Sequence, residues 1–304
     1  MQYNIFQLLC SFRSLFSRQA SFVWFVVVIF GFLVRFDHYG VSSFVRWLSL
    51  PGSTYPLLLN FFHATSWSLS EVMMTWMRIC QEQFSLVSLN GRLLVVGDGI
   101  KIPKEAQCQP GIKYMHGSSQ NQSKPQRFSG HHFGCIAFVA ECAGKFKAIL
   151  QAAQIHEGVD YVQVAENEKI QAQVRETVVS RMMSLLTIIA MQQGKALYVV
   201  LDALFSTSVA FTFVFHRLQE NGQPWVHLIT RAKSNYVAYT AVSRRKNERI
   251  KLSSIFDNLD LFAEHPHPLH PERIVKLYYR DLYWGKTNFF CALSGLLMAQ
   301  NNSF

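Results

Sequence analysis

The spacing of apolar and polar residues divides the chain into regions with different periodicities, each predicting its own kind of element. From the start to about residue 90, aromatic and aliphatic residues recur at helical spacings with little strict alternation, which predicts a helical region. Inside it Pro51-Gly52 is a break, and Ser68-Leu69-Ser70-Glu71 matches a capping box that opens a helix through Cys80. Asn90-Gly91 marks the predicted boundary between an N-terminal helical region, 1–90, and a second region, 91–304.

In the second region short apolar runs rich in β-branched residues alternate with longer segments of helical period. Leu93-Leu94-Val95-Val96 leads into Gly97-Asp98-Gly99 and predicts a buried strand presenting Asp98 at its carboxyl end. Read alone, the same residues also fit a strand closing in an ordinary Asp-Gly turn. The two glycines predict room beside the acid for something bulky and anionic. Gln107 to Gly130 then predicts a long basic loop, which is either functional or a solvated insertion.

Cys135 to Ala140 and Lys145 to Ala153, joined through Ala143-Gly144, predict a hairpin. The acids and amides from Gln163 to Glu176 predict the opening of a long helix that runs through Met191 and closes at Gly194. Lys195 to Leu201 predicts a second strand ending in an acid, Asp202, and Ser206-Thr207-Ser208 a helix start. Trp225 to Thr230 predicts a third strand, this one ending in the cations Arg231 and Lys233. Ile274 to Tyr283 and Thr287 to Ser294 flank Trp284-Gly285-Lys286 and predict a hairpin. Strands separated by helices predict an α/β sheet whose strand ends converge on one site.

Charge narrows the set of partners. The 304 residues carry a formal net charge of +10, which favours an anionic partner, nucleic acid or a membrane surface, over a neutral metabolite. The apolar run Phe22 to Val34, bounded by Arg18 and Arg35, is the one membrane candidate, and it is shorter than the ~20 residues a span needs. The six cysteines form no Cys-x-x-Cys pair, and the start of the chain has no evident cleavable leader, so reduced thiols in the cytoplasm are expected. Adjacent residues on a strand point to opposite faces, which argues against His131 and His132 serving one metal together.

Two carboxylates at separate strand ends beside basic residues suit magnesium acting on a phosphodiester, because magnesium takes oxygen ligands and shares them with substrate phosphates. Lys101, Lys104, Lys124, Arg127, Arg231 and Lys233 are the candidates for contact with a nucleic-acid backbone.

The ordered series Gly97-Asp98-Gly99-Ile100-Lys101-Ile102-Pro103-Lys104-Glu105, Pro110-Gly111-Ile112-Lys113, His116-Gly117-Ser118-Ser119, Gly130-His131-His132-Phe133-Gly134, Val200-Leu201-Asp202-Ala203 and Thr230-Arg231-Ala232-Lys233 resembles the DDE-superfamily endonucleases that act as transposases of bacterial insertion sequences. The resemblance covers roughly residues 20 to 300. It implies an RNase H-like mixed sheet with flanking helices, preceded by an N-terminal helical region. It also implies that Asp98 and Asp202 are the first and second metal-binding acids, holding two magnesium ions or manganese in their place, in a cytoplasmic enzyme that cuts and joins DNA at insertion-sequence ends. A homo-oligomer is a further expectation. The third acid of such enzymes, a glutamate on a helix after the last core strand in a Tyr-x-x-Arg-x-x-x-Glu setting, is not found here. Glu248, Asp257, Asp260, Glu264 and Glu272 are the internal substitutes, and a C-terminally truncated, catalytically impaired chain is expected. The alternatives are a non-catalytic DNA-binding remnant that competes with intact transposase and, from the apolar run alone, a membrane-associated protein.

Overall fold

The computed structural model describes residues 2–298 except 38–39, 106–108, 118–126, 157–159, 167–168, 234, 241–248, 258–259, 261, 268–269 and 285–288. The chain forms two compact units, Met1–Ser85 and Leu86–Phe304. The division therefore falls before Asn90-Gly91, where both residues take positive φ and turn the chain within the second unit.

The first unit is built of helices α1 (Gln2–Cys10), α2 (Gln19–Val34), α3 (Val41–Trp47), α4 (Thr54–His63) and α5 (Leu69–Gln83). Their apolar positions close a core around Phe16, Phe22, Phe25, Phe44, Leu58 and Phe61. In α2 the residues Phe22, Phe25, Val28 and Gly31 follow the three-to-four-residue period and are the buried ones. At Gly31 an added Cβ would lie 2.8 Å from the Phe44 ring, so glycine there lets α3 approach. Ser68 is the residue before α5, as the capping pattern predicts, but its side chain makes no capping bond. No described helix is long and apolar enough to cross a membrane.

The second unit is mixed α/β. In chain order its strands and helices are β1 (Ser85–Leu86), β2 (Ser88–Leu89), β3 (Arg92–Pro103), β4 (Lys113–His116), β5 (Arg127–Cys142), β6 (Lys145–Ile155), β7 (Asp160–Glu166), β8 (Lys169–Glu176), α6 (Val178–Gln193), β9 (Leu197–Leu201), α7 (Ser208–Phe215), β10 (Val226–Thr230), β11 (Val237–Tyr239), β12 (Arg249–Lys251), β13 (Ala263–His267), β14 (His270–Trp284) and β15 (Phe289–Met298). The main sheet runs β6-β5-β3-β9-β10 through its centre, antiparallel from β6 to β3 and parallel from β3 to β10. A second sheet joins β12, β11, β14, β13 and β15.

Helices α6 and α7 pack on one face of the main sheet, where Leu93, Val95, Ile136, Leu197, Val199, Leu201 and Val226 meet Met182, Leu186, Ala210 and Val214, all buried. Local chemistry sets the helix limits. Thr177 and Ser180 cap α6 reciprocally, Gly194 closes it in a left-handed conformation, and the Thr207 hydroxyl accepts the Ala210 N–H at the start of α7.

The segment Gln163 to Glu176, expected to open the helix, is instead the β7–β8 hairpin, paired from Asp160↔Glu176 to Glu166↔Lys169. Glutamate, glutamine and alanine favour helix individually, but Ile170, Ala172 and Val174 repeat every second residue, the period of a strand.

The helix-covered face is tight around its glycines. An added Cβ at Gly134 would stand 2.5 Å from His156 Nε2 and 3.1 Å from Met182 Cε. Gly134→Ala is therefore expected to destabilise the second unit by about 1–3 kcal/mol, the usual range for an overpacked core, read as a lower urea midpoint at unchanged slope.

Candidate active site

The main sheet brings its two acids into register. In the parallel pairing of β3 with β9, Leu93 to Gly97 lie opposite Leu197 to Leu201, and β10 presents Val226 to Thr230 opposite the same residues. The next residues on the three strands are Asp98, Asp202 and Arg231. Asp98 lies midway along β3, whose outer half pairs with β5 alone, and Asp202 and Arg231 directly follow β9 and β10, so the three leave the parallel block at one level, as a row. The pleat puts buried Leu197, Val199 and Leu201 under the helices and turns the following residue to the opposite, open face. Asp98, Asp202 and Arg231 are all exposed.

Each carboxylate is steadied by its own backbone. Asp98 Oδ1 accepts the Gly99 N–H at 2.7 Å, and Asp202 Oδ1 accepts the Leu204 N–H at 3.1 Å. The Thr230 hydroxyl donates to the Asp202 carbonyl at 2.7 Å and fastens the ends of β9 and β10 together. Tyr236, whose hydroxyl donates to the Ser206 carbonyl at 2.7 Å, ties the segment after β10 to the segment after β9. Lys233 lies in that segment, its ammonium 6.0 Å from the centre of the Tyr236 ring.

The two glycines beside Asp98 do not hold space open for a ligand. Both belong to the helix-covered face, where the protein fills the space itself. An added Cβ at Gly97 would meet Leu201 Cδ2 at 2.6 Å, and one at Gly99 would meet His132 Nε2 at 2.5 Å.

Behind the acid row, on that same face, stand two histidines. His132 and His156 have ring centres 5.1 Å apart, edge to face, and the backbone N–H of His156 donates to the His132 carbonyl at 2.7 Å. Neither ring nitrogen of His156 has a hydrogen-bond partner among the described residues. Burial, then the charges of His132, Lys113 and Arg181, push His156 down to about 4. His132 is lowered as well, first by burial and then by Lys101 and Lys113, with Asp98 acting in the opposite sense. Cys135, paired with Asp98 across β3 and β5, is raised by burial and then by the Asp98 charge. Sequence reasoning missed His156 and Cys135, because only the strand register shows what stands beside Asp98. His131, on the opposite face from His132, bonds the Pro110 carbonyl at 3.0 Å.

The basic candidates separate into two groups. Arg231 and Lys233 sit at the acid row or just after it. Lys101 is on the helix-covered face and donates to the His116 carbonyl at 2.9 Å, so it braces β4 against β3. Lys104 and Arg127 are exposed farther along the β3–β5 ribbon, and Lys124 lies outside the described residues.

Among the described residues no third His, Cys, Asp or Glu joins Asp98 and Asp202 in a group that would hold a metal. Of the internal substitutes, Glu248 is outside the described residues. Glu264 pairs with Lys276 at 3.3 Å and Glu272 approaches Arg273 at 4.0 Å, both on strands of the second sheet, while Asp257 and Asp260 are exposed next to it. Each acid is by itself an oxygen donor of the kind a hard cation takes. Magnesium is commonly held by one or two carboxylates plus substrate phosphates, and each acid here has one oxygen fixed by backbone and the other for an outside ligand. No protein-family model and no curated protein sequence matches the chain.

Proposed function

We propose that the protein is a DNA transposase of the DDE endonuclease type, built on an RNase H-like frame and acting on phosphodiesters at the open face of its main sheet, with its activity impaired because no third acid joins the pair among the described residues. The observation that carries this is that Asp98 and Asp202 directly follow the last paired residues, Gly97 and Leu201, of the adjacent parallel strands β3 and β9, with Arg231 following Thr230 of β10 in the same way. Asp98 and Asp202 would hold magnesium, or manganese in its place, which when bound stabilises the attacking and leaving oxygens of a phosphodiester.

The remaining chemistry belongs to the chain itself. Exposure of the row lets a polymer reach both acids, whereas a buried pocket would admit only a small molecule. Arg231 stands beside Asp202 as a guanidinium able to hold a phosphate of the flanking strand, and Lys233 adds a second cation close by. Thr230 and Tyr236 fix the backbone that carries them.

Arg231→Gln is expected to weaken binding of any DNA duplex about equally, whatever its sequence, and to reduce the salt slope of the affinity by about one unit. An unchanged slope would remove Arg231 from the phosphate contacts. The test of the activity is magnesium-dependent nicking of a supercoiled plasmid carrying insertion-sequence ends. Salt-sensitive DNA binding without nicking would select the non-catalytic alternative, and absence of both would sink the assignment.

A further inference from the structure

Past Gly97 strand β3 leaves β9 and pairs only with β5, from Asp98↔Cys135 to Pro103↔Gly130, while β4 adds to β5 from Lys113↔Gly130 to His116↔Arg127. The result is a three-stranded ribbon that continues the sheet outward from the acid row. Alternation along each strand assigns Asp98, Ile100, Ile102, Tyr114, His116 and Arg127 to one face, and all six are exposed. Tyr114 is 70% exposed, and Ile100 and Ile102 are 47% and 40% exposed. Among the described residues of this face Asp98 is the sole carboxylate.

The ligand chemistry follows from what each form of DNA offers. An intact duplex presents phosphates on its outside and keeps its base faces stacked within, so it favours a surface dense in cations. This surface interleaves one guanidinium and the Lys104 ammonium with aliphatic side chains and a phenol ring, the mixture that takes exposed base faces while holding the backbone at intervals. Lys104, exposed just past β3 where its N–H donates to the Ser129 carbonyl, adds a cation at the outer end near Tyr114, while Lys101 lies on the opposite face and donates to the His116 carbonyl.

We propose that this ribbon face seats an unpaired DNA strand leading into the acid row, so that the substrate is a DNA end with its strands separated. The inference rests on the phosphodiester chemistry assigned to that row. Tyr114 stacks on a base, Ile100 and Ile102 cover the strand between Tyr114 and Asp98, and Arg127 holds the backbone at the outer end.

The experiment is fluorescence anisotropy of the full chain, with divalent ions chelated, on three labelled probes: a short blunt duplex, the same duplex with an unpaired tail, and the tail alone. The tailed duplex is expected to bind about ten-fold more tightly than the blunt one, within the worth of one or two stacked bases. Tyr114→Ala is expected to lose about five-fold or more on the tailed probe and less than about two-fold on the blunt one, with Tyr114→Phe restoring the preference. Because Tyr114 is exposed, these variants leave the core intact. Equal affinity for tailed and blunt probes, or an equal loss on both, would overturn the proposal. Magnesium-dependent nicking by the same preparation reads the chemistry separately. Nicking without tail preference removes the ribbon's role alone, and tail preference without nicking removes the enzymatic assignment while the ribbon keeps its ligand.

Discussion

Asp98→Ala is expected to abolish whatever magnesium-dependent nicking the chain shows, because under the proposed function the two carboxylates would bring the cation to the phosphodiester. DNA affinity measured with divalent ions chelated should stay within about two-fold, since the backbone is held by cations and a carboxylate on the same face repels it. Asp202→Ala should behave alike, and the double variant should be little worse than either single one, because two ligands of one ion act as a unit. A direct readout that does not depend on turnover is manganese binding followed by electron paramagnetic resonance, where either variant should lose the bound signal. Loss of DNA binding with manganese binding intact would show that Asp98 shapes the surface and does not hold a metal.

The positions of the two acids were legible in the sequence because each follows an apolar run, although β3 does not end at Asp98 as that pattern predicts and runs on to Pro103 through its pairing with β5. Arg231 was legible for the same reason, as a cation at the end of a third such run. What the sequence leaves unread is sidedness. Gly97 and Gly99 look like space around Asp98 until the pleat is known; they then belong to the other face, where Leu201 and His132 occupy the space. Lys101 follows Asp98 in sequence, and only the structure shows that its side chain lies on the face opposite Asp98 with its ammonium on the His116 carbonyl. The β7–β8 hairpin was obscured by composition, since its residues favour helix individually and only the two-residue repeat of Ile170, Ala172 and Val174 opposes that preference. Positions that meet across neighbouring strands but stand far apart in sequence, such as His132 on β5 and His156 just after β6, leave no local pattern to read.

His156 gives the second large effect, on stability. Its ring is buried and unpartnered among the described residues and stays neutral until about pH 4, whereas an unfolded chain protonates histidine near 6.5. Between those values the unfolded state binds more protons, so the stabilisation is complete above pH 6.5, falls as pH drops, and levels off below pH 4. The loss from this one group is about 3 kcal/mol at most, and the lowered value of His132 acts in the same direction. Lys101, Lys113 and Arg181 already place positive charge around the pair, so a proton on either ring meets repulsion as well as burial. His156→Leu removes both unpartnered nitrogens at similar volume, and should therefore match or exceed the wild type at pH 7 while losing much of the acid sensitivity. Urea midpoints at pH 7 and near pH 4.5 decide it. If the variant keeps the full wild-type drop, acid sensitivity comes from other groups, and the histidine pair behind Asp98 is not what limits the fold in acid.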